Sequence, residues 1–348
     1  MKLLVCGGAG FIGSNFIRRL LVKDDKVQIV NLDKLTYAGN PDNLRSVEAD
    51  PRYRFLQGDI VDRDTVLKAA EGADAIVNFA AETHVDRSIT DPEAFLRTDI
   101  MGTHTLLEAV RELEIPRMVQ VSTDEVYGSV EEGSCAEDYP LAPSSPYSAS
   151  KAGGDLQILA YYHTYGVPAM ITRGSNTYGP YQYPEKLIPL FVTNGLEGDK
   201  LPLYGDGLNV RDWLHVDDHC DGVEFVLKNG EPGQVYNVGG GNERTNLEIT
   251  RIILDELELG EEAVRHVPDR PGHDRRYSLN CDRLCAMGWA PQVDFENGLR
   301  ETVRWYRDNP QWWQRIKNET EDFARWKQRW YEERTAGASI PPGGKSKS

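Results

Sequence analysis

The sequence predicts an α/β fold with a doubly wound parallel sheet, followed by a smaller, mixed C-terminal region. Short apolar runs of strand type alternate with segments of helical period from the N-terminus to about residue 173. After residue 178 the alternation weakens and turn-rich segments become frequent. Strands that alternate with helices are typical of a parallel sheet with right-handed crossovers.

The first element is an apolar strand that leads into a glycine-rich turn. The segment from Leu3 to Gly13 reads LLVCGGAGFIG and contains Gly8-x-Gly10-x-x-Gly13, with helical period after it. Such glycines allow a tight turn and the close approach of a pyrophosphate, while the helix N-terminus offers free N–H groups. Because the motif lies between a strand and a helix, it predicts a Rossmann-type dinucleotide site, with Gly7 also in the turn.

The second strand, at residues 27–32, ends at Asp33. This carboxylate follows Gly13 by twenty residues. At that spacing it can accept the ribose hydroxyls of NAD and repel the 2′-phosphate of NADP. The alternative interpretation is that Asp33 is a solvated aspartate in a turn. The neighbouring Lys34 leaves NADP as an alternative cofactor. The sequence therefore predicts NAD as the cofactor.

The strand–helix pattern then repeats along the chain. Further strands are predicted at residues 53–56, 75–81, 118–121, 167–173 and 234–241, and helices at 61–71, 98–113, 148–165 and 246–259. Asp59 and Ile60 follow the third strand and are expected at the edge of an adenine pocket. Small residues end the 75–81 strand, which would let a cofactor lie close to the sheet.

Side chains able to transfer protons follow the fifth strand. It runs into Thr123, Asp124 and Glu125, and reactive groups collect at the carboxyl ends of strands in open α/β sheets. Tyr147 and Lys151 are four residues apart, so they share one face of a helix. We expect the cation to lower the phenol pKa from its reference value of about 10 and make Tyr147 a base. The alternative is a solvated helix face.

Composition and charge exclude several classes of function. The chain of 348 residues has 39 basic and 55 acidic side chains, a net charge of −16, which disfavours binding to nucleic acid or anionic membranes. No apolar run approaches the roughly 18 residues of a membrane span, and the N-terminus lacks a signal-peptide pattern. The five cysteines show no metal-ligand spacing, so we expect no metal and a cytoplasmic location.

The second half of the chain is expected to bind the substrate. We assign residues 1–178 to the cofactor domain, with catalytic residues at its edge, and 179–334 mainly to substrate binding, with some segments returning to the sheet. Arg211 and Arg270 are candidates for a diphosphate, since arginine binds phosphate oxygens as a fork; surface ion pairs are the alternative. Tryptophans in residues 295–334 favour one or two amphipathic helices, and residues 335–348 are predicted to be a disordered tail.

Together these segments resemble the dTDP-glucose 4,6-dehydratase family, nucleotide-sugar enzymes of the extended short-chain dehydrogenase/reductase superfamily. The similarity runs from about Lys2 to about Trp330. Its motifs are GGAGFIG, STDEVYG, YSASK, SNTYGPYQYPEKLIP, YGDGLNVRDWLHVDDH and DRPGHDRRY. The glycine motif and Tyr-x-x-x-Lys mark only the superfamily. The Asp124–Glu125 pair is more specific, since epimerase relatives lack it and decarboxylase relatives carry only the glutamate.

This resemblance implies a conversion of dTDP-glucose to the 4-keto-6-deoxy sugar with loss of water. Tyr147 would take the O4 proton while the C4 hydride passes to NAD, with Lys151 on the ribose and Thr123 near O4. Glu125 would take the C5 proton, and protonated Asp124 would give a proton to the departing C6 hydroxyl. The environments of the two carboxyl groups must then push their pKa values apart.

The resemblance also implies two sets of binding residues. Those for NAD are Gly7, Gly10, Phe11, Ile12, Gly13, Asp33, Lys34, Leu35, Thr36, Asp59, Ile60, Ala80, Ala81, Thr83, Thr98, Tyr147 and Lys151. Those for the nucleotide sugar are His84, Thr123, Asn176, Lys186, Leu187, Pro202, Tyr204, Arg211, Asn246, Asp269, Arg270, Pro271, Gly272 and His273. One departure is Thr177, where the family usually has a second asparagine, which puts a nicotinamide-amide contact there in doubt. The family is usually dimeric through helices at about 99–113 and 148–164, so we expect a homodimer.

Three alternatives remain open from the sequence. The substrate could carry uridine instead of thymidine, because these residues do not show which base the protein recognises. A nucleotide-sugar 4-epimerase or decarboxylase would share the fold but would not need Asp124. An NAD-binding sensor or scaffold without catalysis is a different class, and fold alone does not exclude it. Such a protein would be expected to have lost part of the proton-transfer cluster.

Overall fold

Strands and helices alternate along the chain, as the apolar runs predicted. The structure, a computed structural model, describes residues 1–269, 273–319 and 321–327. In chain order its strands are β1 (Lys2–Cys6), β2 (Gln28–Asp33), β3 (Tyr53–Gln57), β4 (Ala75–Asn78), β5 (Met118–Thr123), β6 (Ala169–Gly174), β7 (Asn176–Tyr178), β8 (Leu201–Tyr204), β9 (Val210–His215), β10 (Val235–Val238), β11 (Glu243–Thr245) and β12 (Val264–Val267).

The helices cover both faces of the main sheet and build much of the second half. In chain order they are α1 (Phe11–Lys23), α2 (Arg63–Ala70), α3 (Val85–Thr90), α4 (Pro92–Phe95), α5 (Thr103–Glu112), α6 (Pro146–Tyr165), α7 (Leu187–Glu197), α8 (Val216–Asn229), α9 (Asn246–Glu256), α10 (Asp282–Ala286), α11 (Phe295–Asp308), α12 (Pro310–Glu319) and α13 (Glu321–Lys327). A π-helical segment, Leu96–Gly102, leads into α5, and a 3₁₀ turn, Asp124–Tyr127, follows β5.

The main sheet of the described residues is parallel, in the order β10-β6-β5-β4-β1-β2-β3. From β1 the chain winds outward to β3, returns to β4 on the other side of β1, and continues outward through β5 and β6. In such a sheet a binding crevice opens where the winding reverses, outside the carboxyl ends of the strands. The predicted Rossmann-type fold is confirmed.

β1 shows why the predicted strands are continuously apolar. Leu3 and Val5 pack on one face of the sheet with side chains of α1 and α8. Leu4 and Cys6 point to the other face, where α2 and α5 cover them, because successive side chains of a strand alternate between faces. All four are fully buried. Burying an aliphatic side chain of this size stabilises the fold by roughly 1.5–3 kcal/mol.

The second half of the chain adds a smaller, mixed region beside the carboxyl edge of the main sheet. It contains a sheet of order β11-β9-β7, with one antiparallel and one parallel pair, and the parallel pair β12-β8. Its core includes Trp213, Tyr306 and Trp313. β10 returns to the main sheet and pairs with β6. β7 begins two residues after β6 ends, so this region starts beside the crevice.

Helix boundaries differ from the prediction where capping or packing decides them. The helix predicted at 148–165 begins at Pro146, because Ser145 and Ser148 form a capping box. Tyr147 therefore lies in the first turn of α6, one helical turn before Lys151.

The C-terminal segment also differs from its prediction. Three helices, α11 to α13, occupy the part of 295–334 that the structure describes, where one or two were expected. Trp330 and the predicted tail at 335–348 lie outside the described residues. Among the helices that are described, none combines the length and apolar character needed to cross a bilayer.

Candidate active site

A cavity of about 290 Å³ lies along the carboxyl ends of the main sheet. Of the predicted cofactor residues, those on its wall are Gly7, Gly10, Phe11, Ile12, Gly13, Asp33, Lys34, Thr36, Asp59, Ile60, Ala80, Ala81, Thr83, Thr98, Tyr147 and Lys151. Leu35 is not among the residues on this wall, and its assignment as a contact residue stays a prediction. Its backbone N–H instead donates to Asp33 at 2.8 Å, so it orients the carboxylate.

The glycine turn is shaped to receive a group that approaches the backbone closely. A Cβ on Gly7 would lie 2.5 Å from the backbone nitrogen of Ala80, and Gly7 has a φ of +73°. A Cβ on Gly13 would lie 2.4 Å from the carbonyl oxygen of Gly7. A Cβ on Gly10 would meet only that same oxygen, at 3.3 Å, so a side chain there would extend into the cavity. No side chain caps the N-terminus of α1, which fits the pyrophosphate of a dinucleotide.

Asp33 lies at the end of the cavity over β2. Its carboxylate accepts the N–H groups of Ala9 and Leu35, both at 2.8 Å, and burial raises its pKa. Lys34 forms a 2.9 Å ion pair with Asp59. A cation already paired in this way is a poor partner for a 2′-phosphate, and Asp33 would repel one. This end of the cavity therefore fits the unphosphorylated ribose of NAD.

The Thr123–Glu125 segment lies where the cavity approaches the second half of the chain. Thr123 ends β5, and its hydroxyl accepts the backbone N–H of Glu125 at 3.2 Å. Asp124 is 3% exposed, with its Oδ1 3.2 Å from the Thr123 hydroxyl. Burial, followed by the nearby Glu125 and Asp212, raises the pKa of Asp124 well above its usual value. This shift favours the protonated form, which a general acid requires.

Tyr147 and Lys151 project from α6 toward the same place. Lys151 is buried, and its ammonium donates to the carbonyl of Val121 at 2.8 Å. Burial raises the pKa of Tyr147 well above 10, and Glu125 is the largest of the charged contributors. The expectation that Lys151 brings this pKa below its reference value is therefore wrong for the described residues. The phenol is neutral and can donate a hydrogen bond.

A second cavity, of about 150 Å³, lies between the catalytic segment and the smaller region. The predicted substrate residues on its wall are His84, Asn176, Lys186, Leu187, Pro202, Tyr204, Arg211, Asn246 and His273. Glu125, Asn176 and Lys186 line both cavities, so the cavities share a boundary at the catalytic residues. Thr123 lies on the first wall only.

The loop predicted to carry several substrate contacts is only partly described. Arg270, Pro271 and Gly272 lie outside the described residues. Asp269 is not among the residues on the wall of the second cavity, and its assignment as a substrate contact stays a prediction. Its carboxylate lies 2.5 Å from Nδ1 of His273, a residue that is on that wall.

Arg211 is the buried cation of the second cavity. Its guanidinium stacks over the ring of Tyr277 at 4.4 Å and donates to the carbonyl of Asp274 at 2.9 Å. These contacts hold the planar group in one orientation, and arginine in a fixed orientation binds phosphate oxygens as a fork. The surface ion pair considered from the sequence does not describe this residue, which is 5% exposed.

Comparison with known proteins agrees with this geometry. The family model described as GDP-mannose 4,6 dehydratase matches residues 4–302. The dTDP-glucose 4,6-dehydratase of Streptomyces niveus is 52% identical over 326 residues, which cover 92% of this chain and 97% of that protein. This chain belongs to the dTDP-glucose 4,6-dehydratase family.

Solved structures and a further relative support the same placement. DesIV of Streptomyces venezuelae, a dTDP-glucose 4,6-dehydratase solved with NAD bound, is 54% identical with a TM-score of 0.89 and covers 91% of this chain and 100% of its own. The low-salt glycan biosynthesis protein Agl12 of Haloferax volcanii is 50% identical, covering 88% and 98%. A Thermus thermophilus UDP-glucose 4-epimerase is 32% identical with a TM-score of 0.82, covering 89% and 100%. Because an epimerase shares the fold, reaction type must be argued from the site.

In this 4,6-dehydratase family member, some wall residues were not singled out from the sequence. Trp312 reaches the cofactor cavity from α12 and donates to Asn43 at 2.9 Å. His219 reaches it from α8 and contacts Thr177 at 2.7 Å. Local patterns carry no signal for these contacts, since each side chain arrives from an element distant in sequence. Glu185 also lines both cavities, within a segment that the sequence assigned to the substrate side.

Proposed function

We propose that this chain is an NAD-dependent hydro-lyase that converts dTDP-glucose to dTDP-4-keto-6-deoxyglucose and water. One observation carries the proposal. Asp124 is buried and its pKa is raised well above its usual value, and it lies beside Glu125 at the boundary between a cavity that fits NAD and a cavity with a fixed arginine. An epimerase has no use for an acid at this position, whereas an elimination needs both an acid and a base.

The cofactor domain at residues 1–178 holds NAD by its backbone and by one carboxylate. The glycine turn and the α1 N-terminus receive the pyrophosphate, and Asp33 accepts the hydroxyls of the adenosine ribose. Lys151, whose ammonium is held by Val121, reaches the other ribose. When bound, NAD accepts hydride from sugar C4 and later returns it to C6, and its positive charge in the oxidised form opposes the raised pKa of Tyr147.

The sugar lies between the two cavities, with its diphosphate toward the smaller region at residues 179–334. Arg211 binds the diphosphate, and Asn176 and Lys186 lie at the shared boundary. Tyr147 takes the proton from O4 as C4 is oxidised, in the phenolate form that the positive charge of bound NAD would favour, and Thr123 holds O4. These contacts place C5 and C6 beside the two carboxyl groups.

Oxidation at C4 makes the C5 proton acidic, because the resulting carbanion is stabilised by the adjacent ketone. Glu125 removes that proton. Asp124 gives its proton to the C6 hydroxyl, which leaves as water, and a C5–C6 double bond forms. Bound reduced cofactor would supply the hydride for C6, and Glu125 returns a proton to C5. Glu125 is then restored as the base. Asp124 has lost one proton and Tyr147 has gained one, so proton exchange with solvent resets these two groups before another turnover.

The decisive experiment is incubation of the purified protein with dTDP-glucose in D₂O, followed by mass spectrometry of the product. We expect loss of one water and gain of one deuterium at C5. The same result with UDP-glucose and no reaction with dTDP-glucose would contradict the assigned nucleotide and retain the chemistry. Tight NAD binding with no change in either sugar would overturn the dehydratase assignment.

We also propose a cytoplasmic homodimer, joined through Leu96–Gly102, α5 and α6. These elements expose large apolar side chains: Leu96, Met101, Leu156 and Tyr165 are each 50–56% exposed. Because these elements pack against one another, large apolar side chains exposed on them favour a protein interface. The five cysteines are unpaired, which supports a reducing compartment.

The dimer is tested by light scattering coupled to gel filtration. Leu156→Glu should halve the measured mass, because the charge would be buried in the interface. Val22→Glu is the matched control, since Val22 is 88% exposed on α1. A dimer that persists in Leu156→Glu, or a wild-type monomer, would contradict this interface.

A further inference from the structure

His219 is a buried polar side chain that the proposed mechanism does not use. It projects from α8 and is 2% exposed, yet it forms part of the wall of the cofactor cavity. Its Nδ1 lies 2.7 Å from the hydroxyl of Thr177. Its Nε2 is fully buried and has no hydrogen-bond partner among the residues that the structure describes. A buried polar atom without a partner is unfavourable, so its position calls for an explanation.

The position of the ring identifies which end of the dinucleotide it meets. Asp33 ends β2, on one side of β1, and marks the adenosine end. Thr123 ends β5 and Gly174 ends β6, on the other side of β1 and β4. A dinucleotide whose pyrophosphate lies over α1 therefore places its second ring over β5 and β6. His219 lies at that end as well, because its imidazole packs against Gly174. A Cβ added to Gly174 would lie only 2.5 Å from the imidazole Cε1.

Glycine at position 174 is required for this arrangement. Any side chain there would displace the imidazole, since Nε2 would also be within 2.8 Å of the added Cβ. The ring thus packs directly on the end of β6, at a residue that itself lines the cavity. Nε2 therefore packs against Gly174, and both residues belong to the wall of the cofactor cavity.

Hydrogen bonding limits what Nε2 can bind. Burial lowers the pKa of His219 to about 4, so the ring is neutral and only one nitrogen carries a proton. The Thr177 hydroxyl has one hydrogen and two neighbours, Nδ1 of His219 and the carbonyl of Ser175 at 3.1 Å. If the hydroxyl donates to Ser175, Nε2 is an acceptor; if it donates to Nδ1, Nε2 is a donor. A primary carboxamide offers both an N–H donor and a C=O acceptor, so it satisfies Nε2 in either tautomer.

We propose that His219, held by Thr177, is a positioning residue that binds the carboxamide of the nicotinamide ring and sets which part of the ring faces the sugar. Thr177 then acts through the imidazole and need not reach the amide itself. This inference rests on the proposed function, because it requires NAD in the first cavity.

The test compares two ligands that differ only at the nicotinamide end. Protein freed of nucleotide is titrated calorimetrically with NAD⁺ and with ADP-ribose, for wild type, His219→Leu, His219→Gln and Thr177→Val. We expect His219→Leu to weaken NAD⁺ binding about tenfold, the loss of one buried hydrogen bond, and to leave ADP-ribose binding unchanged. His219→Gln keeps a polar atom and should recover most of the affinity for NAD⁺. Thr177→Val, which removes the partner of Nδ1, should also weaken only NAD⁺ binding.

Asp33→Ala is the matched control, since it should weaken the binding of NAD⁺ and of ADP-ribose equally. The proposal would be overturned if His219→Leu weakened the binding of both ligands equally or changed neither affinity. His219 would then be a packing residue. If His219→Leu does not fold, Thr177→Val gives the same comparison. Failure of the wild-type protein to bind either ligand would instead contradict the NAD site itself, so the two failures are distinguishable.

Discussion

Replacing Asp124 by asparagine separates its role in catalysis from its role in the fold. Burial, followed by the nearby Glu125, raises the pKa of the carboxyl group well above its usual value and favours its protonated form. Asparagine has the same shape, and its carbonyl oxygen can still accept from the Thr123 hydroxyl, which lies 3.2 Å from Oδ1. The amide cannot release a proton to the C6 hydroxyl. Elimination should therefore slow while oxidation at C4 continues.

The expected magnitude follows from the loss of general acid catalysis, which contributes roughly 10²–10⁴ in rate. The free energy of unfolding, in contrast to the rate, should not decrease in this variant. A carboxyl whose pKa is raised in the folded state destabilises that state as pH rises from the unfolded pKa of about 3.9 through the folded value. Asp124→Asn removes this penalty, so its free energy of unfolding at neutral pH should equal or exceed that of wild type.

Two measurements on the same preparation test this prediction. Rapid-quench mass spectrometry follows water loss, and stopped-flow absorbance follows reduced cofactor, which should accumulate in Asp124→Asn. Asp138→Asn is the matched control, since Asp138 is exposed and its change should alter neither signal. Water loss in Asp124→Asn within about threefold of wild type would refute the assignment of Asp124 as the acid. Strong destabilisation would show that the carboxyl is ionised in the folded state.

Four further predictions test the other assigned groups. Glu125→Gln should abolish deuterium exchange at C5 but allow oxidation at C4; normal exchange would exclude Glu125 as the base. Tyr147→Phe should suppress formation of reduced cofactor, and an undiminished absorbance signal would contradict its role. Asp33→Ala should lower the NAD content of the purified protein, which nucleotide release and chromatography would measure. Burial raises the pKa of Glu82 to about 7, so Glu82→Gln should raise the free energy of unfolding above about pH 7 and leave it unchanged near pH 4 in chemical denaturation.

The sequence predicted features that depend on near neighbours in the chain. The glycine turn and the Tyr147–Lys151 pair involve short spacings, so the backbone geometry of a turn or a helix determines them. The main sheet was predictable for a related reason, because strands buried on both faces are continuously apolar. The family resemblance added Asp124 and Glu125 as a pair, and their adjacency is itself local.

The tertiary structure decided the properties that depend on distant segments. Burial raises the pKa of Asp124 and also that of Tyr147. For Tyr147 this is the opposite of the lowered pKa that was expected from the neighbouring Lys151. His219 and Trp312 reach the cofactor cavity from helices far along the chain. No local pattern reports these contacts, because desolvation and packing depend on every element that folds around a group. The sequence therefore determined which reactive groups are present, and the three-dimensional packing decided their protonation and their partners.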